Sequence, residues 1–461
     1  MKALRDPQNL LSDGLRAIRE QFKVPEGFPA EVESAAQAAA KRAPSEHADW
    51  TDRAFVTLDP ASSTDLDQAF AIEPAGADLL LHYAIADVAW FVSDDDPVDR
   101  EAWKRGVTTY LPDGKASIYP KVLSEQAASL LPDGPRPSIV LSVRVAPDGG
   151  VKLDAATRAV IRNRAKLAYA TATDAELPAG FVDLASRIEQ AEDRRGAARV
   201  DPPEQEVDRD EGGRFVLGFR PYSLAETRNA ALSLAANMAV ADAMLAAGTG
   251  LFRVMAAPDD FAVERLRRTA RAFRIDWPAD MPLDQFEKRL DPGKPPEAAL
   301  MLAIRRAGQG ASYAPFEPGK TPWHAPMAAT YAHATAPLRR LADRYVLRAV
   351  LAVANGRPVE DAVTAAFQRL PDVMRKAEGR AGQVERAVID LAETALLAGQ
   401  EGTIFPAVVT DLGETGARIQ LRDLPVVART AAHAVVPGAK IEVRLKAADP
   451  ARRTLEFERV S

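Results

Sequence analysis

Residues 55–70 read Phe55-Val56-Thr57-Leu58-Asp59-Pro60-Ala61-Ser62-Ser63-Thr64-Asp65-Leu66-Asp67-Gln68-Ala69-Phe70. The alternation from Phe55 to Asp59 predicts a short strand with Phe55, Thr57 and Asp59 on one side, ending in a turn of Pro, Ala, Ser and Thr. Asp65 and Asp67 are two residues apart, so in extended backbone both point the same way, toward the strand end that carries Asp59. Three clustered carboxylates repel one another unless hard divalent cations lie between them, and oxygen ligands are what Mg²⁺ prefers. The bare spacing equally suits a solvated turn whose aspartates cap backbone amides. It is not an EF-hand, since the alternate-position ligands, the central glycine and the closing glutamate are missing.

Three further stretches stand in order behind this one: His82-Tyr83-Ala84-Ile85-Ala86-Asp87-Val88, Gly106-Val107-Thr108-Thr109-Tyr110-Leu111-Pro112, and Tyr331-Ala332-His333-Ala334-Thr335-Ala336-Pro337-Leu338-Arg339-Arg340-Leu341-Ala342-Asp343. Together with Thr57 to Asp67, their sequence resembles the ordered signatures of the RNB family, the ribonuclease II and ribonuclease R group, from about Asp49 to the C-terminus. The resemblance implies a Mg²⁺-dependent hydrolase, with Mn²⁺ as the other metal to consider, that degrades single-stranded RNA from the 3′ end to nucleoside 5′-monophosphates. It implies Asp59, Asp65 and Asp67 as metal ligands, with Asp65 and Asp67 also catalytic. Arg339 is then set against the scissile phosphate. Tyr110 stacks on the 3′-terminal nucleotides, and Tyr169 is a second aromatic where RNA enters. The family pattern has a fourth aspartate where this chain has Gln68, a neutral amide that can still ligate through its oxygen.

Composition is compatible with that frame. The chain has 461 residues, 47% hydrophobic and 27% charged, which suits a globular protein of two or three domains. Zero cysteines remove disulfide, zinc-thiolate and cysteine-nucleophile chemistry together and fit a cytoplasmic setting. The first residues have no apolar core, so no signal peptide is expected. The apolar stretch Ala230 to Phe252 contains Asn237 and Asp242 and reads as a buried helix, not a membrane span. The net charge of −6 means that any RNA surface must be a local basic channel. Nothing marks an obligate protein partner, so a monomer is expected.

The expected fold class is α+β. Residues 1–48 form a short helical region (Asn9 to Phe22, Ala30 to Arg42), too small for the tandem cold-shock barrels the family carries. Residues 49–355 form an RNB-type catalytic domain, a mixed sheet with surrounding helices. Residues 356–400 form a connector of two helices broken near Leu370-Pro371. Residues 401–461 form a five-stranded OB barrel, with strands Phe405 to Thr410, Ala417 to Leu421, Val426 to Ala428, Lys440 to Leu445 and Thr454 to Val460. Its aromatics, Phe405 and Phe457, are few, so RNA contact through charge is expected there. Within the catalytic domain Leu79 to Val92 reads as strand, with Asp87 either at a pocket wall or hydrogen-bonded in the core. Ser223-Leu224-Ala225-Glu226 is a capping box for a helix that ends near Gly248.

A last helix is expected to start at Pro337, capped by Thr335, with Arg339 and Arg340 in its first turn as an anion site. Arg340, Arg344 and Arg348 recur every four residues as a basic stripe, which makes Arg340 and Arg344 further candidates for contact with substrate. Core-edge arginines paired with carboxylates fit the same spacing. A function of another class also fits the sequence: an RNA-binding regulator or chaperone on this scaffold, its nuclease weakened by Gln68.

Overall fold

The computed structural model describes residues 2–3, 10–197, 204–210, 212, 214–220, 223–291, 294–308, 310–413, 416–431 and 435–461. Two N-terminal helices, α1 (Leu10–Phe22) and α2 (Ala30–Ala39), match the helical region expected there; Asn9 lies outside the described residues. Leu11, Leu15 and Ile18 of α1 are one buried face, with the spacing of an amphipathic helix.

The site-bearing stretch lies in a closed barrel of five strands: β1 (Ala48–Asp59), β2 (Gln68–Ala75), β3 (Asp78–Ala86), β6 (Pro135–Val145) and β7 (Val151–Ala168), in that order. A small hairpin, β4 (Thr109–Leu111) and β5 (Gly114–Ala116), lies outside it. The barrel closes through a parallel pair, β1 with β7, whose register puts Asp59 opposite Ala168. Phe55 to Leu58 are all buried instead of alternating, because helix α3 (Leu224–Ala246) covers this end: Asn229 Nδ2 of α3 donates to the Leu58 carbonyl at 3.2 Å. Helix α3 is the one described helix apolar and long enough to cross a membrane by composition, and most of that stretch is buried within the fold.

β3 stops at Ala86, earlier than expected. Asp87 then caps a one-turn helix, Val88–Phe91, accepting from Trp90 N at 3.1 Å. Its carboxylate also lies 3.1 Å from His47 Nε2 and 2.9 Å from Arg158 Nε, so the core alternative holds and Asp87 is no pocket wall. The capping box of α3 is half formed. Ser223 accepts from Glu226 N, but the Glu226 carboxylate turns to Arg220 instead of back to the cap.

A helical unit, Asp260–Ala272 with Leu283–Glu287 and Pro295–Ala307, has its own small core around Leu266, Phe286 and Leu300. Helix α4 (Leu341–Ala354) begins four residues later than expected, and Arg340 is its N-cap residue. The connector is one continuous helix, α5 (Asp361–Leu397), with Pro371 inside it. A helix-interior proline costs about 3 kcal/mol, but Leu370 and Met374 on either side are fully buried, and their packing holds the helix through the lost hydrogen bond. Strands β8 (Ile404–Gly413), β9 (Gly416–Leu421), β10 (Val427–Ala431), β11 (Lys440–Asp449) and β12 (Thr454–Arg459) close into the expected five-stranded barrel, again through one parallel pair, β10 with β12. Phe405 and Phe457 pack in its core with ring centroids 6.4 Å apart, so neither is free for base stacking.

Candidate active site

The stretches singled out in the sequence, far apart along the chain, meet at one end of the first barrel, and backbone hydrogen bonds hold them there. Leu130 N donates to the Leu66 carbonyl at 3.0 Å, while Leu66 N donates to Ser129 Oγ. Ala86 N donates to the Asp67 carbonyl. On the other side Thr108 N donates to the Arg339 carbonyl and Leu341 N to the Gly106 carbonyl, so the segment before Tyr110 is tied to the segment carrying Arg339. Gly106 is required in this tie: its φ is +74°, and a Cβ would lie 2.5 Å from that of Ala377 on α5. Asn237 of α3 fixes the same segment from below, donating to Thr335 Oγ1 and Tyr331 and accepting from Ala334 N.

A cavity of about 450 Å³ is lined by Asp59, Asp65, Asp67, Gln68, Tyr110, Tyr169 and Arg339, and it shares Asp65, Tyr110 and Arg339 with a larger channel of about 1720 Å³. Asp67 is buried; its Oδ1 accepts from Leu338 N at 2.7 Å and its Oδ2 lies 3.4 Å from Arg339 Nε. Asp65 lies against Lys115, with Nζ 2.7 Å from Oδ1, and Tyr110 donates its phenol O–H to Oδ2 at 3.4 Å. Asp59 has one buried carboxylate oxygen, Oδ2, without a hydrogen-bond partner. Burial pushes the Asp59 carboxyl up to about 6 and the Asp67 carboxyl up to about 7, in both cases against the pull of Arg339.

Among the described residues no group of three carboxylate or imidazole side chains is already gathered around one point that could hold a metal ion. Two of the three aspartates are turned instead onto cations of the chain, Lys115 and Arg339. The donor set nevertheless fits a hard divalent cation. Three carboxylates and the Gln68 amide line one cavity, and Asp59 keeps a buried oxygen without a hydrogen-bond partner, an oxygen donor set of the kind that hard divalent cations take.

Tyr110 is half exposed at the junction of cavity and channel, and Tyr169 lines the cavity with its hydroxyl accepting from Asn229 Nδ2 at 2.9 Å. The basic stripe does not form. Arg340 lines the channel, but its Nε and Nη2 are committed to Asp343 at 3.0 and 2.7 Å. Arg344 is 1% exposed and is bound to Asp99 and the Tyr345 hydroxyl, inside the core and away from the aspartates. Arg348 pairs with Asp94 and Glu360. All three are the carboxylate-paired arginines that the same spacing allowed. Arg339, two positions before α4, is the arginine of this run turned toward the aspartates. The sequence reading missed Lys115, Arg220, Glu226, Asn229, Ser233 and Tyr331. Only Glu226, Asn229 and Ser233 carried a signal, being polar positions on the otherwise apolar helix α3.

Fold and site together define an RNB-type domain followed by an OB-type barrel. The family model for the RNB domain matches residues 47–356, and the model for the RNase II-type exonuclease C-terminal S1 domain matches residues 403–460, so the chain belongs to the RNB family. It is similar to Ribonuclease R of Aquifex aeolicus, 28% identical over 436 residues that cover 88% of this chain and 61% of that protein. Exoribonuclease 2 of Serratia proteamaculans is 30% identical over 408 residues, 82% of this chain and 62% of that protein. The chain therefore spans about three fifths of the length of these relatives. Among solved structures, Mycoplasma genitalium RNase R in complex with ribose methylated single-stranded RNA superposes with a TM-score of 0.86 at 21% identity, covering 98% of this chain and 78% of that one. Yeast Ssd1, described as a pseudonuclease, superposes with a TM-score of 0.70 at 15% identity, covering 95% of this chain and 57% of that one.

Proposed function

We propose that the chain is a 3′-to-5′ exoribonuclease that hydrolyses single-stranded RNA to nucleoside 5′-monophosphates, acting as a monomer in the cytoplasm. The observation that carries this reading is the convergence of Asp59, Asp65, Asp67 and Arg339 on one cavity that adjoins a larger one, with Tyr110 lining both. Tyr110 offers a half-exposed ring at the junction, and stacking on a ring is sequence-tolerant because every base has a π-face. That contact sets the register in which the last phosphate meets the aspartates.

Asp59, Asp65, Asp67 and the neutral Gln68 would hold Mg²⁺ or Mn²⁺, which supplies charge neutralisation at the phosphoryl oxygens and a water of lowered pKa. Arg339 faces the same oxygens with a planar donor fork, and its salt bridge to Asp67 keeps that fork in place before substrate arrives. Leu338 N, donating to Asp67, fixes the carboxylate from the other side.

Gln68 supports a second reading, an RNA-binding protein of weak or absent nuclease activity. The two separate in one assay: 5′-labelled and 3′-labelled single-stranded RNA incubated with the protein in Mg²⁺ or EDTA. Release of labelled mononucleotide from the 3′-labelled strand in Mg²⁺ alone is the expected result; binding with no release from either strand supports the second reading.

A further inference from the structure

In the hairpin β4–β5, Tyr110 and Lys115 are a directly opposed cross-strand pair. Such pairs project to the same side of the sheet, and here both side chains reach the carboxylate of Asp65, Lys115 at 2.7 Å and Tyr110 at 3.4 Å. Lys115 is not fixed by Asp65 alone. Its Nζ also lies 3.2 Å from Glu125 Oε1 and 3.4 Å from Thr64 Oγ1, and the Lys115, Asp65 and Glu125 side chains are all less than a fifth exposed. The contact is therefore an enclosed ion triad on the wall of the channel, unlike the loose surface pairs that contribute little. Arg339 stands on Asp67 in the same way, and Asp59 alone keeps an oxygen without a partner.

We propose that Lys115 is a tethered counter-ion that competes with a divalent cation for Asp65, a positioning residue that sets how tightly the site holds its metal. The proposal rests on the metal-site reading given above. In the metal-free protein Lys115 offsets the charge of the 60–67 loop. A cation that engages Asp65 must draw the carboxylate off Lys115, and Glu125 is the waiting acceptor that lets the ammonium give way without losing its partner. Two substitutions then act in opposite directions. Lys115→Met removes the competitor, so the cation should bind about tenfold tighter, the scale on which a partly enclosed ion pair couples. Glu125→Gln removes the alternative acceptor and leaves Lys115 more firmly on Asp65, so the cation should bind several-fold more weakly.

The experiment is titration of RNA-free wild type, Lys115→Met and Glu125→Gln with Mn²⁺, followed by electron paramagnetic resonance of the free ion, with melting temperatures as a check on folding. Tighter binding in the first variant and weaker binding in the second support the proposal. Unchanged or weakened binding in Lys115→Met overturns it and would mean that the lysine merely positions the carboxylate. Should Lys115→Met not fold, Glu125→Gln decides alone, and unchanged or tighter binding there overturns the proposal. Absence of Mn²⁺ binding in wild type as well as in both variants removes the metal-site reading and the proposal with it, whereas binding that ignores both substitutions removes the proposal only.

Discussion

Arg339 Nε and Asp67 Oδ2 lie 3.4 Å apart, joining the loop after the first barrel strand to the turn before α4. Arg339 reaches the aspartates because Arg340 does not compete: Arg340 is spent on Asp343, whose Oδ2 also accepts from Ala336 N and so shapes the turn that presents Arg339. The two arginines should therefore fail in different ways. Arg339→Lys keeps the charge and loses the planar fork, so turnover should drop by roughly 10² with RNA affinity little changed. Arg340→Lys should lower the melting temperature by several degrees, because the doubly bonded partner of the buried Asp343 is lost. Steady-state kinetics and thermal melts on both variants check this. Equal kinetic loss in Arg340→Lys without a melting shift would show that the roles are assigned the wrong way round.

Asp67 does two things at once, accepting from Leu338 N and facing the cavity. Asp67→Asn retains an oxygen for Leu338 and loses the ligand charge. Hydrolysis should fall at least 10²-fold while RNA binding in EDTA stays within a few-fold, since the charge matters most where charge develops. Single-turnover rates and filter binding measure the two. A variant that keeps more than about a tenth of the wild-type rate would falsify the assignment of Asp67 as a ligand.

The aspartate loop was legible because its signal is local: an alternating strand that ends in a Pro-Ser-Thr turn delivers its carboxylates to one place. The C-terminal barrel was legible for the same reason, each strand being bounded by its own turn residues. The stripe of Arg340, Arg344 and Arg348 was misread. Their four-residue spacing does place Arg340, Arg344 and Arg348 on one face of α4, but Asp94 and Asp99, which claim two of them, come from a different part of the chain. The start of α4 was misplaced because Pro337 suits a first helical turn locally, while the tie between Arg339 and Thr108 holds that segment out of helix. Pro371 reads as a break by propensity, and burial of its neighbours overrides it. Lys115 reaches Asp65 through strand pairing and loop packing, which no spacing rule displays.

Away from the site, Glu287 is buried in the helical unit, where burial and the nearby Asp284 push its carboxyl up to about 8 from an ordinary 4.5. The folded state thus holds a proton that the unfolded chain has released between these values. Stability should decline as pH rises from about 4.5 to about 8 and change no further above that, at up to about 1.4 kcal/mol per unit of separation. Glu287→Gln keeps the shape without the titration. The drop in melting temperature from pH 5 to pH 8 should be smaller for the variant than for wild type, the remainder coming from other raised carboxyls such as Asp59 and Asp67; an equal drop in the two proteins would remove Glu287 as a cause.

Gln68 begins β2 opposite Ile85, is almost fully buried, and lines the cavity beside Asp67. With three carboxylates, two of them already facing Lys115 and Arg339, the site presents little uncompensated negative charge to a cation. Gln68→Asp adds one anionic ligand and shortens the side chain by one methylene, so half-maximal activity should come at a lower Mg²⁺ concentration. The same charge should cost the metal-free protein stability, because it is buried next to Asp67 without a chain cation of its own. Two measurements then move together: the metal-free variant should melt below wild type, and added Mg²⁺ should restore more of its melting temperature than it restores for wild type. The maximal rate can fall if the added charge holds the metal too firmly, and the midpoint should still shift. An activity titration with Mg²⁺ at fixed pH and ionic strength, run beside metal-dependent melts, decides the matter. An unchanged midpoint together with an unchanged metal-dependent gain in melting temperature would place Gln68 off the metal, leaving Asp59, Asp65 and Asp67 as the whole of the ligand set.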